Sequence, residues 1–144
     1  YALVETLGVR DLIFTGRVNV VEYMEKLDFT ILTSISEGQP LSVLESLAAR
    51  RPCVTTEVGC CRELLEGALG DDFGVAGFVT PPMYRKGLAD AMERMCTSRA
   101  RRIEMGERGQ RRVATYFLHE QMLANYRALY DETARAFDLP REGE

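Results

Sequence analysis

The feature that most constrains this chain is a strict alternation of short apolar runs with amphipathic helical stretches. Leu12-Ile-Phe-Thr15, Phe29-Thr-Ile-Leu-Thr33, Cys53-Val-Thr-Thr56 and Gly77-Phe-Val-Thr80 read as strands, each four or five residues long and rich in β-branched or aromatic side chains. Helices fill the gaps. Asn19 and Glu22 stand at capping-box spacing before a helix to about Lys26. Pro40 suits the first turn of a helix to about Arg50, and Cys61–Leu65 forms a short one. From Tyr84 onward the periodicity predicts three helices, over 84–97, 99–115 and 118–136. Strands that alternate with helices require right-handed crossovers and a parallel sheet covered on both faces. The fold class is therefore α/β, a parallel Rossmann-like sheet flanked by helices. Ligands of such sheets bind in loops beyond the carboxyl ends of the strands, here 16–19, 34–40, 57–61 and 81–83.

The first eight residues, Tyr1 to Gly8, have apolar residues at helical spacing and then a glycine stop. They read as the end of a helix already under way, and no initiator methionine precedes them. The expectation is a chain truncated at its N-terminus. Residues 1–115 form the main unit, 116–138 a terminal helix, and 139–144 a frayed tail.

Several function classes lose support on composition alone. A net charge of −4 disfavours a nucleic-acid surface. No apolar run reaches the roughly 18 residues of a membrane span, and no signal-peptide pattern is seen, so a cytoplasmic protein is expected. The basic stretch Arg94–Arg112 contains Glu104 and Glu107, each four residues before an arginine, as on a solvated helix face. Contact with an anionic membrane or a partner is the alternative. Cys53, Cys60, Cys61 and Cys96 form no C-x-x-C, and His119 stands far from them. Zinc sites and Cys-His or Ser-His-Asp machinery lack parts, so packed, reduced thiols are expected.

The loop after the second apolar run carries the chemistry. It reads Ser34-Ile-Ser-Glu37-Gly38-Gln-Pro40-Leu-Ser-Val-Leu-Glu45-Ser-Leu-Ala-Ala49. Glu37 leaves the strand just before a helix N-terminus. Glu45 sits about 7 Å further along that helix axis, beside Leu41, Leu44 and Ala48, the stripe expected to face the sheet. An ionised carboxylate can accept from two neighbouring hydroxyls, as a sugar diol presents them. The free N–H groups of Leu41 and Ser42 favour an anion such as a diphosphate, and Gly38 lets a ligand approach its backbone. The loop suits a polyhydroxylated, phosphorylated ligand. From the pattern alone Glu45 can also be an ordinary exposed helix residue, Glu37 a loop charge, and Asn19 a plain helix cap.

The spacing Glu37-x7-Glu45 within E-G-x-P-L-x-x-L-E-x-L-A, preceded by Leu27-Asp28-Phe-Thr-Ile-Leu-Thr-Ser34, resembles the C-terminal domain of family 4 retaining GT-B glycosyltransferases. Phe14-Thr-Gly16-Arg-Val18, Arg51-Pro52-Cys-Val-Thr-Thr56-Glu-Val-Gly59 and Tyr126-Arg-Ala-Leu-Tyr130 resemble its flanking elements in order. The wording of the two central loops is similar to the PelF branch, linked to Pel exopolysaccharide synthesis. The resemblance implies that Glu45 holds the ribose hydroxyls of a nucleoside diphosphate sugar, a UDP-sugar in the PelF case. It implies that Glu37 touches the transferred sugar near the reacting carbon, as the catalytic-side residue. Gly38, Leu41, Ser42 and Gly59 would line the sugar and diphosphate, and Arg17, Val18 and Asn19 would lie near the base. No metal or cofactor is implied. The partners implied are the donor, a glycan acceptor, an N-terminal GT-B domain met by the terminal helix, and a polysaccharide-synthase complex at the membrane. A nonenzymatic nucleotide-sugar-binding module and a GT-B-shaped sugar-nucleotide epimerase are the competing readings.

Two departures stand out. Cys60 replaces the second glycine of the family's glycine pair, and Arg50-Arg51 stands where a glycine is usual, with solvated helix-end charges as the simplest reading. The family's Arg and Lys pair that neutralises the diphosphate would precede Tyr1. This chain alone is therefore expected to bind nucleotide weakly and not to transfer sugar. In the doubly wound order two strands would lie between the Leu12 run and the Phe29 run. The terminal helix, with Leu118, Met122, Tyr126, Leu129 and Tyr130 on one side, is expected to leave part of that stripe exposed.

Overall fold

The computed structural model describes residues 2–137. Three parallel strands, β1 (Thr30–Leu32), β2 (Cys53–Thr56) and β3 (Gly77–Thr80), lie side by side in that order. Thr30 pairs with Cys53 and Cys53 with Gly77, so the strands start level. The helices are α1 (Ala2–Thr6), α2 (Val20–Met24), α3 (Leu41–Ala48), α4 (Cys61–Glu66), α5 (Arg85–Cys96), α6 (Arg99–Tyr116) and α7 (His119–Ala136). The predicted strands at 29–33, 53–56 and 77–80 and the three long helices are present.

β2 is central and buried at every position, which its unbroken Cys-Val-Thr-Thr sequence permits. Alternate side chains feed two cores. Cys53 joins Val43, Leu47, Leu64, Leu65 and Ala76 beneath α3 and α4. Val54 points the other way, onto Ala91, Met95 and Met105 of α5 and α6. Ser46 is a polar residue in the first layer, and its hydroxyl is satisfied by Thr30 Oγ1 at 2.7 Å and the Arg51 carbonyl at 2.9 Å.

Helix α6 crosses the amino ends of the strands. A side chain at Gly106 would strike the Arg50 carbonyl just before β2, its Cβ only 2.1 Å from that oxygen. Gly109 lies against Leu47 and Ala76. Bare backbone lets α6 come this close, and it leaves the opposite, carboxyl ends of the strands free for loops.

Arg112, read in the sequence as part of a solvated basic face, is instead buried. Its guanidinium makes a forked pair with Asp71 and donates to the carbonyls of Leu64, Leu65 and Gly74. Every N–H of the group is thereby used, the condition for burying an arginine. Arg112 holds the Asp71 carboxyl below its ordinary range, chiefly by hydrogen bonding. The Glu104–Arg108 pair forms as the spacing predicts.

The Leu12–Thr15 run is not a strand. Its residues are exposed, with Ile13 80% accessible, and the run joins no strand of the sheet among the described residues. Neither of the expected intervening strands is present among the described residues, and there β1 forms one edge of the sheet. Helix α1 spans Ala2–Thr6, and the turn after it reaches Gly8 in the left-handed region, with φ +62°; Tyr1 lies outside the described residues. Helix α7 has no buried residue, and Met122, Tyr126, Leu129 and Tyr130 are all exposed. The tail at 139–144 lies outside the described residues.

Candidate functional site

Two loops at the carboxyl ends of β1 and β2 are laced together. Thr56 Oγ1 donates to the Ser34 carbonyl at 2.5 Å, and the Cys60 N–H to the Gly38 carbonyl at 2.9 Å. The third strand joins through the Glu57 N–H, 2.7 Å from the Thr80 carbonyl. Where the loops cross, Gly59 has φ +51°, and a Cβ there would lie 2.2 Å from the Gly38 oxygen. Only glycine tolerates both constraints. The close approach that the sequence reading placed near a ligand is thus first an approach between the loops themselves. Cys60 spends its N–H on that crossing.

Glu37 is half-buried, and its Oε1 accepts from Ser34 Oγ at 2.6 Å. Gly38 is exposed, with nothing within 4 Å of where a side chain would begin. Pro40 is buried and starts α3 without a side-chain cap. Among the described residues no group accepts the N–H of Leu41 or Ser42, both of which are exposed. The helix start therefore presents two free donors to solvent, together with the positive end of the helix dipole.

Helix α3 turns inward a different face from the one its apolar spacing predicts. Its buried face is Val43, Ser46 and Leu47, not Leu41, Glu45 and Ala48. At 100° per residue the two sets lie on opposite sides, and Leu44 sits at the border. Glu45 is therefore exposed, so burial does not oblige it to have a partner. Among the described residues its carboxylate makes no hydrogen bond or ion pair.

That outer face of α3 is the wall of two grooves, with Glu45 on the ridge between them. One, of about 770 Å³, runs between α3 and the α6–α7 corner, with Leu41, Leu44, Ala48, Phe117, Met122 and Tyr126 on its walls. The other, of about 460 Å³, separates Glu45, Ala48, Ala49 and Arg50 from Val20, Val21, Met24 and Glu25 on and after α2. Glu37 lines neither groove. The chain brings Glu45 together with the segment that follows Arg17, Val18 and Asn19, but it does not close Glu37 and Glu45 into one cavity.

Asn19 is a helix cap. Its Oδ1 accepts from the Val21 N–H at 3.2 Å, and its Nδ2 donates to Glu22 Oε1 at 2.7 Å. Arg51, which sequence reading left without a role, donates through Nε to the Met24 carbonyl at 3.0 Å and through Nη2 to the Glu25 carbonyl at 2.8 Å. It is not a solvated charge. Arg50 is the left-handed residue after α3, with φ +58°. The Arg51 N–H returns to the Ser46 carbonyl and that of Arg50 to Leu47, a Schellman closure usually made with glycine.

Charge in this region is mostly negative or already paired. Arg62 is held by Glu57 at 2.8 Å and Glu66 at 2.6 Å. The thiols offer no ready nucleophile: burial pushes Cys53 up to about 11 and raises Cys60 and Cys61 as well. The site as built can hold hydroxyls at Glu45 and an anion at the start of α3.

Comparison with known proteins gives this geometry a family. The chain is 28% identical over 135 residues to N-acetyl-alpha-D-glucosaminyl L-malate synthase of Bacillus anthracis, which covers 92% of this chain and 34% of that protein. Its fold matches sucrose-phosphate synthase from Thermosynechococcus elongatus with a TM-score of 0.81 at 22% identity, over 94% of this chain and 33% of that one. The C-terminal domain of a glycosyl transferase group 1 family protein from Francisella tularensis matches with a TM-score of 0.63 at 20% identity, over 82% of this chain and 60% of that one. The chain thus spans about a third of the curated relative's length. The profile described as "Glycosyl transferases group 1" matches residues 2–98, and the chain belongs to that family.

Proposed function

We propose that this chain is the donor-binding part of a retaining family 4 glycosyltransferase that takes a nucleoside diphosphate sugar, a UDP-sugar first, and extends a glycan. The observation that carries the reading is Glu45: an unpaired carboxylate on the ridge of two grooves, on the same helix whose first N–H groups are free. A ribose diol satisfies such a carboxylate, and a diphosphate satisfies the helix start. Glu37, Gly38, Leu41, Ser42 and Gly59 then line the sugar and phosphates, and Arg17, Val18 and Asn19 lie toward the base. Glu37 acts as a contact to the sugar near the reacting carbon, not as a covalent nucleophile.

The Bacillus anthracis relative is named for L-malate and the Thermosynechococcus protein for sucrose phosphate. The PelF-like wording of the two central loops favours a growing polysaccharide as the acceptor. Among the described residues no helix is long and apolar enough to cross a membrane. A polysaccharide-synthase partner would give the protein a place at the membrane. An N-terminal GT-B domain, meeting the exposed stripe of α7, would complete the catalytic site.

A hydrolysis and transfer screen over UDP-, GDP- and ADP-sugars tests the reading, using a protein of the relatives' length that carries this chain. Turnover with one donor, lost in Glu37→Gln and with donor affinity weakened in Glu45→Gln, is the expected result. Full activity and affinity in both variants would remove the site assignment, and binding without turnover would favour a nonenzymatic module.

A further inference from the structure

We infer that Arg51 is a positioning residue for donor recognition: it fixes the short helix α2 as the wall opposite Glu45 and so sets the shape of the nucleoside end of the groove. The inference rests on the donor-binding reading above and names a residue that reading does not use.

Helix α2 is short, five residues with none buried, so apolar packing holds it weakly. Its start is fastened locally by Asn19. Its end is fastened to the body of the domain by Arg51, whose Nε and Nη2 reach the Met24 and Glu25 carbonyls at 3.0 and 2.8 Å. The Met24 carbonyl ends α2 and also accepts from the Leu27 N–H at 3.2 Å, and the Glu25 carbonyl belongs to the C-cap. The guanidinium spans both carbonyls at once and meets the negative end of the dipole. Arg51 is itself held in place, because its backbone closes the end of α3 on Ser46 and Pro52 follows it into β2.

The consequence is geometric. Arg51 sits at the junction of α3 and β2 and holds α2 at a set distance across the groove from Glu45. Val20 and Val21 on the far wall follow directly on Arg17–Asn19, the segment placed toward the base. Loosening the end of α2 leaves Glu45 and the start of α3 untouched but lets the opposite wall move. Affinity and base preference should therefore fall together, while the phosphate contacts persist.

The test uses this chain with Arg51→Met, Arg51→Lys and Glu45→Gln, titrated by NMR with UDP, GDP, ADP and inorganic pyrophosphate. Amide exchange is followed in parallel. In Arg51→Met, which removes both bonds to the end of α2, UDP affinity should fall about tenfold as the wall opposite Glu45 loosens. Preference among the three nucleotides should narrow, pyrophosphate binding should stay the same, and residues 20–25 should exchange faster while β2 and β3 keep their protection. Arg51→Lys, with one donating nitrogen in place of a fork, should recover part of the affinity. If Arg51→Met binds like wild type while Glu45→Gln is weakened, the positioning role is wrong and the donor site stands. If Arg51→Met weakens pyrophosphate equally, or β2 and β3 lose protection with α2, the effect is general destabilisation and the inference falls. If wild type binds no nucleotide, both fall.

Discussion

Replacing Arg112 with methionine should unfold this domain at markedly lower temperature. The side chain keeps similar length and apolar bulk but loses five donors. Asp71, whose side chain is 4% exposed, is then left as a buried charge, and the carbonyls of Leu64, Leu65 and Gly74 lose their shared partner. Breaking a buried pair from one side costs about 3–5 kcal/mol. Water can reach part of the freed carbonyls, so we take about 4 kcal/mol for the whole change. For a chain of this size that corresponds to a fall in Tm of roughly 8–16 °C. Thermal unfolding followed by far-UV circular dichroism reads it directly. The Arg112→Met/Asp71→Asn double variant should recover about 2 kcal/mol, because the orphaned charge is gone. The pair also sets an acid limit. Asp71 is held below 3.8, so its contribution is fully present above that pH and is lost as the pH falls through the folded value. Wild type should therefore lose stability below about pH 4, and Arg112→Met should show less of that loss. A Tm shift under about 3 °C, or an unchanged acid slope, would refute the pinning role of this pair.

Gly59→Ala should cost at least 2 kcal/mol and disrupt nucleotide binding, because its Cβ would meet the Gly38 carbonyl. Gly38→Ala should leave Tm within about 2 °C and change only donor affinity, since its Cβ would enter open space; urea unfolding with an NMR titration separates the two. Arg50→Gly should stabilise the chain by about 0.5–1 kcal/mol by relieving a left-handed residue at the end of α3, measured as a rise in the urea midpoint. Thiol labelling at pH 8 should modify the exposed Cys96 first and Cys60 later, leaving Cys53 and Cys61 protected until the chain unfolds.

Much of this fold could be read from local pattern, because the local and tertiary demands agree in most elements. Cys53–Thr56 and Gly77–Thr80 are apolar or β-branched runs with clear ends, and Asn19 caps through its own side chain. The failures came where a distant partner decides. Leu12–Thr15 has strand composition, but a strand exists only with a neighbour to pair it. The face of α3 was misjudged because Ser46 looks polar yet is buried, its hydroxyl satisfied by Thr30 and Arg51. Arg112 and Arg51 looked like surface charge because their acceptors are carbonyls far along the chain, which residue type does not reveal. The site followed the same rule. The free start of α3 and the exposed Glu37 loop were legible, but the wall that α2 supplies to the Glu45 groove was not.

The central claim is that Glu45 accepts from the hydroxyls of the donor's ribose. Its sharpest test is a cycle of two changes measured by NMR titration at millimolar nucleotide: Glu45→Ala in the chain, and UDP against 2′-deoxy-UDP in the ligand. If the contact is direct, removing the hydroxyl weakens binding to wild type about tenfold, as expected for a hydrogen bond to a charged group, and has almost no effect on Glu45→Ala. An equal loss in both proteins would contradict the account, since the hydroxyl would then be recognised elsewhere.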